Sequence, residues 1–217
     1  MAGIPDSPRV ARGGIVLVDP GSGMAVRTIP FQYNPDTLTR TLQPQGIGNE
    51  PGDRLEALRL KGPPHETYKL DAEFDAAEQL DHPDANPIET ANGLYPVLSA
   101  LELSVYPDVA HLLAEDQMAA AGMIEVAPVE ALLTVLVLGH SRVLPVRLTD
   151  LTITEDAFDT QLNPIRAKVS LSARVLTVND LGFTQRGGLL YLNYHRGKAS
   201  YAALVTRTPA DLGLNSL

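Results

Sequence analysis

Ile165-Arg166-Ala167-Lys168-Val169-Ser170-Leu171-Ser172-Ala173-Arg174-Val175-Leu176 alternates side-chain character over twelve residues. Ile165, Ala167, Val169, Leu171, Ala173 and Val175 fall on one face, and Arg166, Lys168, Ser170, Ser172, Arg174 and Leu176 on the other. A period of two is the geometry of a β-strand with one face against a core. The run is about twice the usual strand length of roughly five or six residues. Upstream, Tyr68, Leu70, Ala72 and Phe74 alternate with Lys69, Asp71, Glu73 and Asp75 in the same way. Ala131 to Leu138 is almost wholly apolar, which suits an inner strand. Arg142 to Glu155 alternates too, with a change of phase at Asp150 that predicts a bulge or bend.

Long strands with one polar face favour antiparallel pairing, and the chain has no βαβ rhythm. The expected class is therefore α+β, mostly β. The expected architecture is a curved antiparallel sheet or partial barrel with one helix packed on it. That helix is predicted over 93–106, where Leu94, Val97, Leu98, Leu101 and Val105 recur at helical spacing, Asn92 can cap, and Pro107 ends it. Shorter strands are expected over Gly13 to Val18, before the Asp19-Pro20-Gly21 turn, and over Ala25 to Tyr33.

Around this β domain at 13–179 the sequence predicts three looser parts. Residues 1–12 read as a flexible N-terminal arm with Pro5 and Pro8. Residues 43–64 hold four prolines and four glycines and read as a long loop or partly ordered excursion, of the kind that is mobile or used for contact. Residues 108–127 read as a poor helix or an alanine-rich loop. Residues 180–217 read as a C-terminal extension bearing Tyr191, Tyr194 and Tyr201, ordered on assembly.

Composition narrows the chemistry. The chain has no cysteine, which removes disulfides, thiolate catalysis and cysteine-ligated metals. The net charge of −9 disfavours binding to phosphate backbones, so no nucleic-acid partner is expected. The start lacks a secretory h-region, and the longest apolar run is one strand long, far short of a membrane span.

No constellation reads as a reaction centre. None of His65, His82, His111, His140 and His195 has metal-binding spacing, and His82 between Asp81 and Asp84 reads as a solvated loop. Glu155, Asp156 and Asp159 cluster near a strand end and read as a hydrophilic turn rather than an acid/base pair. Gly139-His140-Ser141 lacks the nucleophile-elbow context, and Gly13-Gly14 precedes a strand rather than joining a strand to a helix. The expectation is a protein that is not an enzyme and has no catalytic, metal or cofactor residues. The residues singled out instead are contact candidates. Arg166, Lys168 and Arg174 share one strand face and either meet an acidic edge on a neighbouring subunit or form a solvated face. Tyr191, Tyr194 and Tyr201 are the tail's candidates. Asn34 and Pro35 form a structural turn, because proline constrains the residue before it.

Several segments together resemble a family. Phe31-Gln32-Tyr33-Asn34-Pro35-Asp36-Thr37-Leu38 is similar to the F-x-(F/Y)-N-P-x-x-L opening of the tube-like baseplate proteins of contractile injection systems. Glu66 to Asp75 resembles that family's alternating strand ending in Phe-Asp. The later blocks Val135 to Gly139, Leu148 to Ile153 and Phe158 to Ala167 resemble its second half, with Asn163-Pro164 before the last long strand. The resemblance spans about residues 15–178. It implies a tail-tube-like antiparallel β-barrel or two-sheet domain in a structural adaptor of phage-tail-like particles. Such an adaptor joins the inner tube to the central hub and spike. By resemblance it forms a homo-oligomeric ring, a hexamer, with inner-tube, hub/spike and other baseplate proteins as partners. It has no direct membrane contact and assembles in the cytoplasm into a virion-like particle that can be released. In many relatives a LysM module follows, and none is expected here, which puts direct cell-wall attachment in doubt. Two alternatives stand beside the adaptor: a main inner-tube subunit, and, from a different class, a small-ligand-binding β-barrel.

Overall fold

The structure is a computed structural model that describes residues 11–46, 59–120 and 131–214. Seven strands form one sheet: β1 (Gly14–Val18), β2 (Ala25–Pro30), β3 (Leu38–Gly46), β4 (Leu60–Asp75), β5 (Leu133–Val137), β6 (Val143–Phe158) and β7 (Pro164–Val175). Their order is β2-β1-β5-β6-β7-β4-β3, and every pairing is antiparallel. Among the described residues, four helices lie between β4 and β5: α1 (Ala77–Leu80), α2 (Pro87–Asn92), α3 (Tyr95–Glu102) and α4 (Val109–Ala120). After β7 come α5 (Val178–Leu181), α6 (Arg186–Ala202) and a 3-10 turn over Pro209–Leu212.

The expected barrel or two-sheet domain is not what forms. The sheet stays open, with β2 and β3 as its two outer strands. The physical reason lies in what covers the buried face. Leu98 and Leu101 of α3 and Tyr191 and Tyr194 of α6 join the strands in one core. With helices burying the apolar face, the sheet does not need to close on itself. The expectation of one packed helix is corrected by the same contacts.

Register follows the alternation. Leu70 faces Leu171, Ala72 faces Val169 and Phe74 faces Ala167, all buried, while Asp71 faces Ser170 and Glu73 faces Lys168 on the opposite side. Opposite residues of an antiparallel pair share a face, so the apolar stripe runs unbroken across β4 and β7. Between Leu148 and Asp150 the β6–β7 register shifts, which returns Leu151 and Ile153 to the core side and accounts for the phase change there. Strand β5 lies third in the order, as its apolar run predicts. Leu136 packs in the main core, and Leu133 and Val135 pack in a second cluster with Val18 on the other face.

The looser parts resolve differently. Residues 1–10 of the arm, 47–58 of the loop and 121–127 of the 108–127 segment lie outside the described residues. The flanks of the loop extend strands, β3 to Gly46 and β4 from Leu60. The helix expected over 93–106 is α3, over Tyr95–Glu102, and the polar stretch before it holds α1 and α2. Residues 178–202, the first part of the expected extension, form α5 and α6, with Val178, Tyr191 and Tyr194 in the same core as the sheet. Two glycines permit that docking. A Cβ on Gly188 would run into the Gly182 carbonyl oxygen, and one on Gly187 into the Leu181 side chain. Among the described residues no helix is long and apolar enough to cross a membrane.

Candidate interaction surfaces

The uncovered face of β4 and β7 carries a ladder of ion pairs. Arg166 reaches Asp75 through Nη2 at 2.9 Å and Nε at 3.0 Å, and Lys168 reaches Asp71 at 3.2 Å. Arg174 meets Asp180 of α5 at 2.8 Å. Each of the three cations singled out from the sequence therefore has a carboxylate partner in its own chain. The carboxylates register this. The Asp75 carboxyl sits below its usual range because the Ala77 backbone N–H donates to it, with Arg166 adding to the effect. Asp71 is lowered by the Ser170 hydroxyl and then by Lys168. Asp180 is lowered against the opposing cost of its burial, by the Thr177 N–H and by Arg174.

The tyrosines separate into two kinds. Tyr191 and Tyr194 are buried in the chain's own core, whereas Tyr201 is exposed. Tyr194 is the hub of a polar cluster. Its hydroxyl donates to Glu66 Oε1 at 2.7 Å and lies 2.8 Å from the Tyr68 hydroxyl. With the Tyr194 proton committed to Glu66, Tyr68 is the donor to Tyr194. Lys198 Nζ binds Glu66 Oε2 at 2.8 Å and lies 4.1 Å from the centre of the Tyr194 ring. Arg40 of β3 stands 3.9 Å from the same carboxylate, whose side chain is only 4% exposed. Burial pushes the Tyr194 hydroxyl strongly upward, and the bonds to Tyr68 and Glu66 add to it, so it stays protonated. Tyr191 is raised by burial and by the nearby Glu66 charge.

Glu66, Lys198 and Arg40 were not singled out from the sequence. A signal for Glu66 existed. It precedes Tyr68 by two residues, so the alternation of Tyr68, Leu70, Ala72 and Phe74 extends back onto it and predicts a carboxylate on the buried face.

Asn34 ties two backbone segments together. Its Oδ1 accepts from the Gly13 N–H at 2.9 Å, and its Nδ2 donates to the Ala11 carbonyl at 2.9 Å. Gln32 does the same at the far side. It donates to the Asp75 carbonyl at 2.6 Å and accepts from the Asp75 N–H at 2.7 Å, so the segment after β2 is fastened to the end of β4. The fully buried Phe31 lies between these ties.

No protein-family model matches this chain, and no curated protein does. The functional reading therefore rests on the surfaces themselves.

Of the acidic groups weighed as catalytic or metal sites, Asp159 takes a structural place. Asp159 organises the β6–β7 hairpin, accepting from the Gln161 and Asn163 N–H groups at 2.7 and 2.8 Å and from the Asn163 side chain at 2.8 Å. Within that hairpin Leu162 holds a φ of +66°, a backbone region that costs a non-glycine residue about 1 kcal/mol or more. Among the described residues no group of three His, Asp or Glu side chains could hold a metal ion. A groove of 1130 Å³ opens between the α3–α4 junction and α6, lined by Tyr106, Leu133, Leu148 and Leu189 among others. It lies outside the packed strand interior that a ligand-binding barrel would have hollowed.

Among the described residues two sheet edges carry no further strand. Edge strand β3 runs nine residues with nearly every side chain exposed, and β2 is exposed except for Ile29 and borders the opposite margin. The two differ in length and in the strand behind them, so they are unlike surfaces.

Proposed function

We propose that this chain is a non-catalytic structural subunit that closes into a homo-oligomeric ring. In this reading the ring joins the inner tube to the hub and spike of a contractile injection particle. The observation that carries the proposal is the pair of unlike, exposed sheet edges, β2 and β3. A heterologous contact that uses a different edge on each partner propagates from copy to copy and closes where the rotation allows. Backbone groups on a free edge are the ready means of making it. The resemblance of 31–38 to the baseplate opening supports the particular assembly, and that segment ties β2 to β4 and to residues 11–13. Six copies, cytoplasmic assembly and unlike tube-facing and spike-facing ends belong to the same reading.

The absence of native cysteine makes the test clean. Arg27→Cys on β2 is combined in turn with Thr39→Cys, Thr41→Cys or Gln43→Cys on β3. Under oxidation at least one pair is expected to give a non-reducible-by-dilution ladder of covalent oligomers, with rings visible by electron microscopy. No ladder from any pair, with no rings at high concentration, overturns the proposal. Rings that stack on copies of themselves into long tubes would assign the chain to the main inner tube instead of the adaptor.

A further inference from the structure

Charge is segregated along this chain. All 17 lysines and arginines lie outside residues 70–141, a stretch that holds 13 of the 26 carboxylate residues. That stretch covers the end of β4, the four helices α1 to α4, and β5. Residues 181–217 contain Arg186, Arg196, Lys198 and Arg207 and one carboxylate residue, Asp211. Lys198 is paired with Glu66 and Arg207 with Asp211, whereas Arg196 has no carboxylate partner among the described residues.

Both regions also expose apolar side chains. Leu103, Val105, Tyr106, Val109, Leu112 and Leu113 are all exposed within eleven residues, and no residue of α4 is buried. On α4, Val109, Leu112, Leu113 and Asp116 recur at helical spacing and make one apolar stripe ending in a carboxylate. At the other end of the chain, Tyr201, Leu204 and Val205 are exposed beyond Arg196. Among the described residues the Arg196 guanidinium makes only a long 3.3 Å bond, to Asn193. Among the described residues none buries the stripe on α4, and the C-terminal stripe offers the same apolar character beside the cation Arg196.

We infer that α4 of one copy docks on the C-terminal half of α6 and the residues after it in a second copy. Antiparallel packing sets Asp116 beside Arg196 and runs Val109–Leu113 along Leu204 and Val205. The apolar centre supplies contact area, and the flanking charges select orientation and partner. Glu115 of α4 is paired with His111, which leaves Asp116 as the charge beside the stripe. It disfavours anionic lipid and nucleic acid there and is met by Arg196, a cation of this same chain flanked by exposed apolar side chains. The contact adds a helix-to-helix interface to the ring reading and does not depend on the sheet edges.

The test is a charge swap read by sedimentation equilibrium on the full chain. Asp116→Arg and Arg196→Glu each place like charges in contact and are expected to raise the self-association constant for dissociation about tenfold or more. The double variant restores the pair with its signs exchanged and is expected to return to within about threefold of the native value. Recovery in the double variant excludes misfolding as the cause of the single defects. Single variants that associate like the native chain, a double variant no better than the worse single, or a chain that stays monomeric throughout each overturn the inference. If edge-linked ladders and rings persist in all three variants with unchanged association, the helix contact fails while the ring reading stands.

Discussion

Two polar systems hold this molecule together, and they use the same chemistry in opposite surroundings. The Glu66 cluster is a carboxylate enclosed by two tyrosines, a lysine and an arginine beneath α6. The ladder of Arg166, Lys168 and Arg174 with Asp75, Asp71 and Asp180 faces solvent on the other side of β4 and β7. Water screens the ladder and competes for its partners, so exposed pairs of this kind contribute about 0–1 kcal/mol each. The buried carboxylate has no such alternative, and removal of any partner leaves polar groups stranded. The difference teaches what each does for the fold. The cluster fastens α6 to the sheet, whereas the ladder leaves the sheet face charged and open to solvent.

The contrast breaks most severely at Glu66. Glu66→Ala strands the Lys198 ammonium and the Tyr194 hydroxyl, and the expected loss is about 3–5 kcal/mol. The urea midpoint should fall with little change in slope if the chain unfolds in one step. Trypsin gives a second readout. In the native chain Lys198 is held by Glu66 and Arg207 is exposed, so cleavage after Arg207 is expected before cleavage after Lys198. In Glu66→Ala, cleavage after Lys198 should appear as α6 loosens. An unchanged midpoint and unchanged cleavage pattern would mean that the cluster fastens nothing.

Tyr194→Phe sharpens the comparison more gently. The ring remains beneath Lys198, but Glu66 loses one donor and Tyr68 loses its acceptor. The expected cost is about 1–2 kcal/mol by denaturation, since one buried hydroxyl partner is left unsatisfied. The Glu66–Lys198 bond survives, so this variant must stay clearly more stable than Glu66→Ala. Equal losses would show that the tyrosine, not the carboxylate, carries the cluster.

How far the sequence disclosed these regions follows from period and distance. The faces of β4 and β7 and the interior place of β5 were legible because alternation and apolar runs report local burial directly. Closure was not legible, because an apolar face has the same pattern whether another strand or a helix covers it. Helix α6 was obscured by Gly187, Gly188 and Gly197, which lower helix propensity, yet the first two are what allow α5 to approach so closely. The Arg166 ladder was legible only on one side: its three cations were apparent, but their carboxylates come from another strand and from α5. Lys198 and Glu66 are 132 residues apart, and nothing local announces such a pair.

The smallest effect tests the ladder through acid. Asp75 has a folded-state pKa below its ordinary 3.8, so it binds its proton less readily folded than unfolded. Its contribution to stability is therefore present above that ordinary value and is lost as pH falls through the depressed one. Arg166→Gln removes the arginine's hydrogen bond and its charge and leaves in place the Ala77 N–H bond, the largest single cause. Stability at neutral pH is expected to fall by less than about 1 kcal/mol. In a carboxyl-carbon NMR titration, the Asp75 resonance should titrate higher than in the native chain but still below the ordinary range. A return of Asp75 all the way to that range would reverse the ranking and make the arginine, rather than the start of α1, the group that holds this carboxylate. The ladder would then be a stronger internal fastening than its exposure allows.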